Sequence, residues 1–284
     1  MASLNDSHAG RLTDFVAVGP AKTGTIALHR YLCEHPQIHM SLPKGPRFFC
    51  STEESNFHRG VDWYRSLFCS DRPLCGEVTP SYTRSTSPLV AQRMQALIPR
   101  AKLIYNLREP WSRMISHYRM LLRLPQKQCQ IFSEDLPRFP NLREASLCGT
   151  QLGILRDHFP ADQIFCLESR RLLNDTRPTL QTLFEFLGAD SHFDSPLFGE
   201  QFNVGDQKEG RTASPPASPR DAGGVTPPAN PGVPADLHIV IPPALVRQLH
   251  DDFCRDVDLL RRITGQPYAS LEVPALADLL AIHS

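Results

Sequence analysis

The stretch from Thr13 to Leu32 constrains this chain more than any other. Phe15 to Val18 is an apolar, partly β-branched run bounded by polar residues, as expected of a buried parallel strand. Gly19, Pro20, Ala21, Lys22, Thr23, Gly24 and Thr25 follow, and then Ile26, Leu28, Tyr31 and Leu32 fall at roughly helical spacing. A strand that turns through two glycines into a helix leaves backbone N–H groups unpaired and aimed at one spot, where the helix dipole also favours negative charge. Such a turn is a phosphate cradle.

The order of residues within the turn narrows the ligand. A nucleoside-triphosphatase loop reads G-x-x-x-x-G-K-[ST], with lysine after the second glycine. Here Lys22 precedes Gly24, which fits that loop poorly. A second strand, Ala101 to Leu107, leads into Arg108, Glu109 and Pro110 at the head of another helix, with Ser116 about two turns along it. Arg108 by a charge-assisted fork and Ser116 by its hydroxyl can reach one anion. Taken alone, such an arginine is more often a salt-bridging surface residue. Beside the first loop it reads as a second phosphate contact.

Strand and helix signals alternate along the rest of the chain. Ile38 to Leu42 reads as a short strand after His35 and Pro36, and Asn56 to Phe68 as a helix capped by Asn56. Leu74 to Tyr82 reads as a strand running into a loop at Pro80, and Ser87 to Ala96 as a helix opened by Pro88. Leu142 to His158 reads as a helix, Gln163 to Leu167 as a strand, and Thr179 to Leu187 as a helix stopped by Gly188. Repeated βα order implies a mainly parallel central sheet with helices on both faces. The run from about 211 to 236 is rich in Pro, Gly and Ser with almost nothing to bury, and is expected to be a mobile insertion. A closing amphipathic helix, about 242 to 265, carries Leu245, Leu249, Phe253, Val257, Leu260 and Ile263 on one face. It needs a sheet to lie against, so residues 1–284 are expected to form a single domain.

Composition excludes several classes. With 30 basic and 30 acidic side chains the formal charge is zero, which argues against a generic nucleic-acid binder. Phosphate recognition must therefore be local. The polar N-terminus lacks an apolar signal core and no run is long enough to span a bilayer, so the expected setting is cytoplasmic. Eight cysteines occur without C-x-x-C pairs, which points away from zinc knuckles and redox motifs. Cys33 and Cys166 lie among apolar residues and read as buried thiols.

With both phosphate motifs in place, the chain resembles the sulfotransferases that use 3'-phosphoadenosine 5'-phosphosulfate (PAPS), above all the heparan-sulfate type and its bacterial relatives. The resemblance rests on the loop around Lys22, His35 and Pro36, Phe48 and Phe49, Gly60 to Tyr64, Gly76 to Tyr82, and Arg108 to Ser116. It also takes in the closing helix. It implies a P-loop-like three-layer α/β fold. It further implies that Lys22, Thr23, Gly24 and Thr25 hold the 5'-phosphosulfate, that Arg108 and Ser116 hold the 3'-phosphate, and that 3',5'-adenosine bisphosphate (PAP) is the product. Lys208, Gly210 and Arg211 stand where the family carries a late basic loop over that phosphate; a solvated charge cluster explains them equally well.

Sulfuryl transfer needs in-line positioning and a cation at the leaving oxygen, for which Lys22 is the candidate. It also needs a base for the acceptor's proton. The resembled enzymes carry a glutamate three residues before the Phe-Phe pair; here that place is Gly45. Glu77, at the end of a neighbouring strand, is the replacement candidate, and a carboxylate that orients Lys22 or caps a loop is the equal alternative. His58 and His117 are further candidates, each more often an ordinary exposed or packing histidine. The expected acceptor is a hydroxyl or amine on a small molecule or carbohydrate. The competing readings are a P-loop kinase and a catalytically silent nucleotide-binding protein, the latter kept open by Gly45.

Overall fold

A computed structural model of the chain describes residues 10–85, 87–124, 127–200 and 238–283. The expected insertion at 211–236, and Lys208, Gly210 and Arg211, lie outside the described residues. The chain divides into two compact units. The first comprises 1–83, 87–106 and 154–203; the second comprises 84–86, 107–153 and 204–284.

The first unit holds a five-stranded parallel sheet with helices around it. Its strands are β1 (Phe15–Ala17), β2 (Ile38–Met40), β3 (Leu74–Val78), β4 (Lys102–Leu107) and β5 (Ile164–Glu168), in the order β2-β3-β1-β4-β5. The first strand is central: Phe15 pairs with Gly76 on one side and Lys102 on the other, and Ala17 with Val78 and Ile104. All three of its residues are buried, as a strand covered on both faces requires.

Because side chains alternate along a strand, the pairing sorts them by face. Phe15, Ala17, Val78 and Ile104 share one buried cluster with Leu28, Tyr31 and Leu32 of helix α1 (Thr25–Glu34). Leu180, Leu183, Phe184 and Leu187, from a later helix (Thr176–Leu187), belong to the same cluster. Gly76 sits opposite Phe15, and a Cβ on it would lie 2.1 Å from the Phe15 ring, so only glycine lets that ring lie flat on the sheet. On the other face Cys75 and Glu77 meet the helix Gly60–Ser66 and its continuation: Tyr64 donates to Glu77, and the Cys75 thiol faces the Phe68 carbonyl.

In the second unit, helix α4 (Pro110–Leu122) and the 22-residue closing helix (Pro243–Thr264) share a core of Trp111, Met114, Tyr118, Leu249 and Phe253. Gly265, left-handed at φ 69, ends the closing helix. The segment expected as one helix from Leu142 to His158 is instead two, Asn141–Glu144 and Cys148–Arg156. Side chains explain the break. Ser146, between them, donates to the Leu142 carbonyl and accepts from Arg113, while the Asp256 carboxylate accepts from the Gly149 and Thr150 N–H groups at the start of the second helix.

Asn56 does not cap the following helix through its side chain; its amide donates to the Pro46 carbonyl, and Gly60 at φ 81 separates a 3-10 turn from the helix. Cys33, expected to be buried, is exposed, Cys166 is half-buried, and none of the eight cysteines forms a disulfide. No helix among the described residues is long and apolar enough to cross a membrane.

Candidate active site

The loop after β1 is built by local constraints that act in sequence. Val18 N–H donates to the Ile104 carbonyl, extending the ladder one residue beyond the strand. Gly19 then comes so close to β4 that a Cβ would lie 2.1 Å from that of Asn106. Pro20 has no N–H, so the ladder to β4 cannot continue there. The Thr23 hydroxyl closes the turn on the Pro20 carbonyl at 2.6 Å, and Asn106 Nδ2 donates to the Thr23 carbonyl at 3.4 Å. Lys22 and Gly24 both adopt positive φ, 75 and 82. Gly24 then opens α1.

That helix end suits an anion. Its N-cap is a glycine with no side chain to offer, and its first turn contains no acidic residue. The first-turn N–H groups and the dipole are thus unopposed by any carboxylate of the helix itself. Lys22 is half-buried beside them, and Thr23 and Thr25 are buried in the same turn. The four residues expected to grip the 5'-phosphosulfate therefore form one continuous turn at one helix terminus.

The start of α4 is different. Glu109 caps it, accepting from Trp111 N–H and Ser112 N–H at 2.7 Å each, so the helix end is filled from within. Any anion contact there falls to side chains. Arg108 is half-buried, and burial pushes its pKa down from the ordinary value, opposed by Glu109; an arginine remains charged regardless. Ser116 is half-buried on the same helix. His117 is buried and lies 3.3 Å from the Arg113 guanidinium, a packing role, and His58 is exposed with its ring at the Ser55 carbonyl.

Glu77 has no exposed surface. Oε1 accepts from Tyr64 at 2.6 Å and Tyr82 at 3.1 Å, and Oε2 from Thr79 at 2.5 Å. Burial raises its pKa to about 7, while the Thr79, Tyr64 and Tyr82 hydroxyls pull the other way. The phenols are pushed well above their ordinary value, so they remain donors. Phe48 and Phe49 are both fully buried around this group: Phe48 stacks on Tyr64 at 4.5 Å, and Phe49 meets Tyr82 edge-on at 5.7 Å. The phenylalanine pair is thus packing for the hydroxyl cage.

Gly45, the place where a glutamate was expected by resemblance, lies at the same strand end. A Cβ on it would sit 3.5 Å from the Val78 carbonyl and 3.9 Å from the Thr79 hydroxyl, and its φ of 72 is one that side chains rarely adopt. Sequence reasoning did not single out Tyr64, Thr79 and Tyr82 as partners of Glu77, nor Asn106 as a partner of the loop. Asn106 had a signal, being the polar member of an otherwise apolar run from Leu103 to Leu107. A cavity of about 540 Å³ opens at the opposite end of the sheet, lined by Arg11, Asp14, Arg100 and Lys102, away from the strand ends where open α/β sheets carry ligands. Among the described residues no cluster of His, Cys, Asp and Glu could hold a metal ion.

The Sulfotransferase domain family matches residues 12–201, which takes in the loop, the whole sheet and α4. The chain belongs to the sulfotransferase family. A heparan sulfate glucosamine 3-O-sulfotransferase 3A1 of Mus musculus is 30% identical over 216 residues, 68% of this chain and 51% of the relative. A bifunctional heparan sulfate N-deacetylase/N-sulfotransferase 2 of Bos taurus is 29% identical over 203 residues, 63% of this chain and 22% of the relative. The chain thus spans at most about half the length of either of these relatives. A solved sulfotransferase from Alicyclobacillus acidocaldarius shares the fold with a TM-score of 0.67 at 23% identity, covering 92% of this chain and 99% of that one.

Proposed function

We propose that this sulfotransferase moves a sulfuryl group from PAPS to a hydroxyl or amine of a small-molecule or carbohydrate acceptor and releases PAP. The observation that carries the reading is the β1 loop: a lysine set ahead of Gly24, at a helix N-terminus that no internal carboxylate fills, in a chain of this family. The carbohydrate acceptor is favoured by the names of the two mammalian relatives, which act on heparan sulfate or its glucosamine.

In the proposed reaction the acceptor oxygen or nitrogen forms a bond to sulfur as the bond from sulfur to the bridging phosphate oxygen breaks. The electron pair goes to that oxygen. Lys22 and the N–H groups of Thr23, Gly24 and Thr25 stabilise the charge developing there. Arg108 and Ser116 take the 3'-phosphate, with Lys208, Gly210 and Arg211 assigned to the same phosphate by resemblance alone. The acceptor's proton goes to Glu77. Because its oxygens have no exposed surface, that proton travels through Tyr82, which already donates to the carboxylate and keeps some exposed surface.

A second reading, a nucleotide-binding protein without transfer activity, is favoured by one observation: Gly45 offers no carboxylate where the resembled enzymes carry one. Calorimetric titration with PAP and with ATP, followed by a transfer assay from PAPS to mixed carbohydrate and phenolic acceptors, tests both. PAP binding with transfer supports the sulfotransferase, PAP binding without transfer supports the silent binder, and preference for ATP overturns both.

A further inference from the structure

Asn106 stands at the end of β4, and the strand register sets it opposite Gly19: Phe15 pairs with Lys102 and Ala17 with Ile104, and two residues further along each strand are Gly19 and Asn106. It shares a strand face with Ile104, the face that packs on α1, so it lies directly beneath the loop. Its neighbours Leu103, Ile104, Tyr105 and Leu107 are all buried and apolar. Asn106 itself is 0% exposed. One end of its amide donates to the Thr23 carbonyl at 3.4 Å; the other, Oδ1, is buried without any hydrogen-bond partner.

A stranded buried acceptor is destabilising, and an apolar side chain of the same shape would avoid it. The opposite amide setting is no remedy, because it would turn Oδ1 toward the Thr23 carbonyl and set two acceptors against each other. What the asparagine does supply is a grip on Thr23. That residue follows Lys22, a non-glycine at φ 75, and such backbone persists only where its surroundings over-determine it. Thr23 is held from two sides, its hydroxyl on the Pro20 carbonyl and its own carbonyl by Asn106.

We propose that Asn106 is a positioning residue for donor binding: its amide pins the Thr23 peptide so that Lys22 and the loop N–H groups keep their anion-binding shape. The inference rests on the reading of this loop as the donor site. It predicts a residue retained for ligand affinity at the expense of stability.

Two variants of the full chain test it, with PAP affinity measured by calorimetry and stability by thermal unfolding. Asn106→Leu removes both the grip and the stranded oxygen; PAP affinity is expected to fall at least tenfold while the unfolding midpoint is not lowered. Asn106→Asp can donate to the Thr23 carbonyl only when protonated. Its PAP affinity is therefore expected to approach that of the wild type near pH 5 and to fall at least tenfold more than the wild type does by pH 8.

An Asn106→Leu protein that binds PAP within twofold of the wild type overturns the proposal, whatever its midpoint. If that variant does not fold, the aspartate variant decides: a pH profile parallel to the wild type overturns the proposal. Wild-type protein that fails to bind PAP overturns the donor-site reading and this inference with it, whereas a normal wild type beside indifferent variants overturns this inference alone.

Discussion

Replacing Glu77 by glutamine should make the protein's stability respond differently to pH, by an amount that follows from the site. The carboxyl has no exposed surface, and burial raises its pKa from 4.5 to about 7. A group whose folded pKa lies above its unfolded pKa favours the folded state most when protonated. Its contribution is therefore fully present below pH 4.5 and is lost as pH rises through 7. Integrating the proton linkage for that shift gives a loss of about 2.5 kcal/mol between pH 5 and pH 8. In Glu77→Gln the side chain keeps its shape and cannot ionise, so this component vanishes. Urea unfolding of both proteins at several pH values isolates it, because every other titrating group is common to the pair. The free-energy difference, variant minus wild type, should rise by about 2–3 kcal/mol from pH 5 to pH 8. A difference that stays flat across that range, or slopes the other way, refutes the claim that burial outweighs the hydroxyl donors at Glu77.

Lys22→Gly should abolish sulfuryl transfer while leaving stability unchanged or raised by up to about 1 kcal/mol, since glycine accepts the φ of 75 without strain; a clear drop in unfolding free energy would contradict the backbone argument. Arg108→Lys keeps the charge and loses the fork, so affinity for PAP should weaken about tenfold, or about 1.4 kcal/mol, with affinity for adenosine 5'-monophosphate unaltered in the same titrations. Asp256→Ala strips three hydrogen bonds from the start of the Cys148–Arg156 helix and should cost about 2 kcal/mol in urea unfolding.

The parts of the fold legible in the sequence are those where one local pattern dominates. The β1 run, the β4 run and the apolar stripe of the closing helix each announce their element by periodicity, and Gly188 and Gly265 mark helix ends in the left-handed conformation such ends adopt. What failed was set by distant partners. Ser146 and Asp256 split a segment that reads as one helix, and Asp256 is more than a hundred residues from the N–H groups it caps. Asn56 had the composition of a cap and went to Pro46 instead. In the loop, Gly19 and Gly24 were readable, because the turn itself demands them. The positive φ of Lys22, the stranded Oδ1 of Asn106 and the hydroxyl cage around Glu77 were not. Each depends on which strand lies beside which, and that order is fixed by the whole sheet.

In the proposed reaction the base is Glu77, inside the sheet, while position 45 is glycine, and this changes the chemistry available on the acceptor side. A base in the loop would meet the acceptor directly and would titrate near an ordinary carboxylate value. Glu77 is proposed to act from behind Tyr82, with a pKa near 7, so a larger part of the driving force for taking a proton is present at neutral pH. In the proposed reaction it ionises only as the solution passes neutrality, and turnover rises over the same interval in which Glu77 withdraws its support from the fold. Activity and stability then respond to pH in opposite directions around one side chain. The three hydroxyls that surround it are the means by which the fold tolerates a buried charge at all, because each supplies a donor that water cannot deliver there.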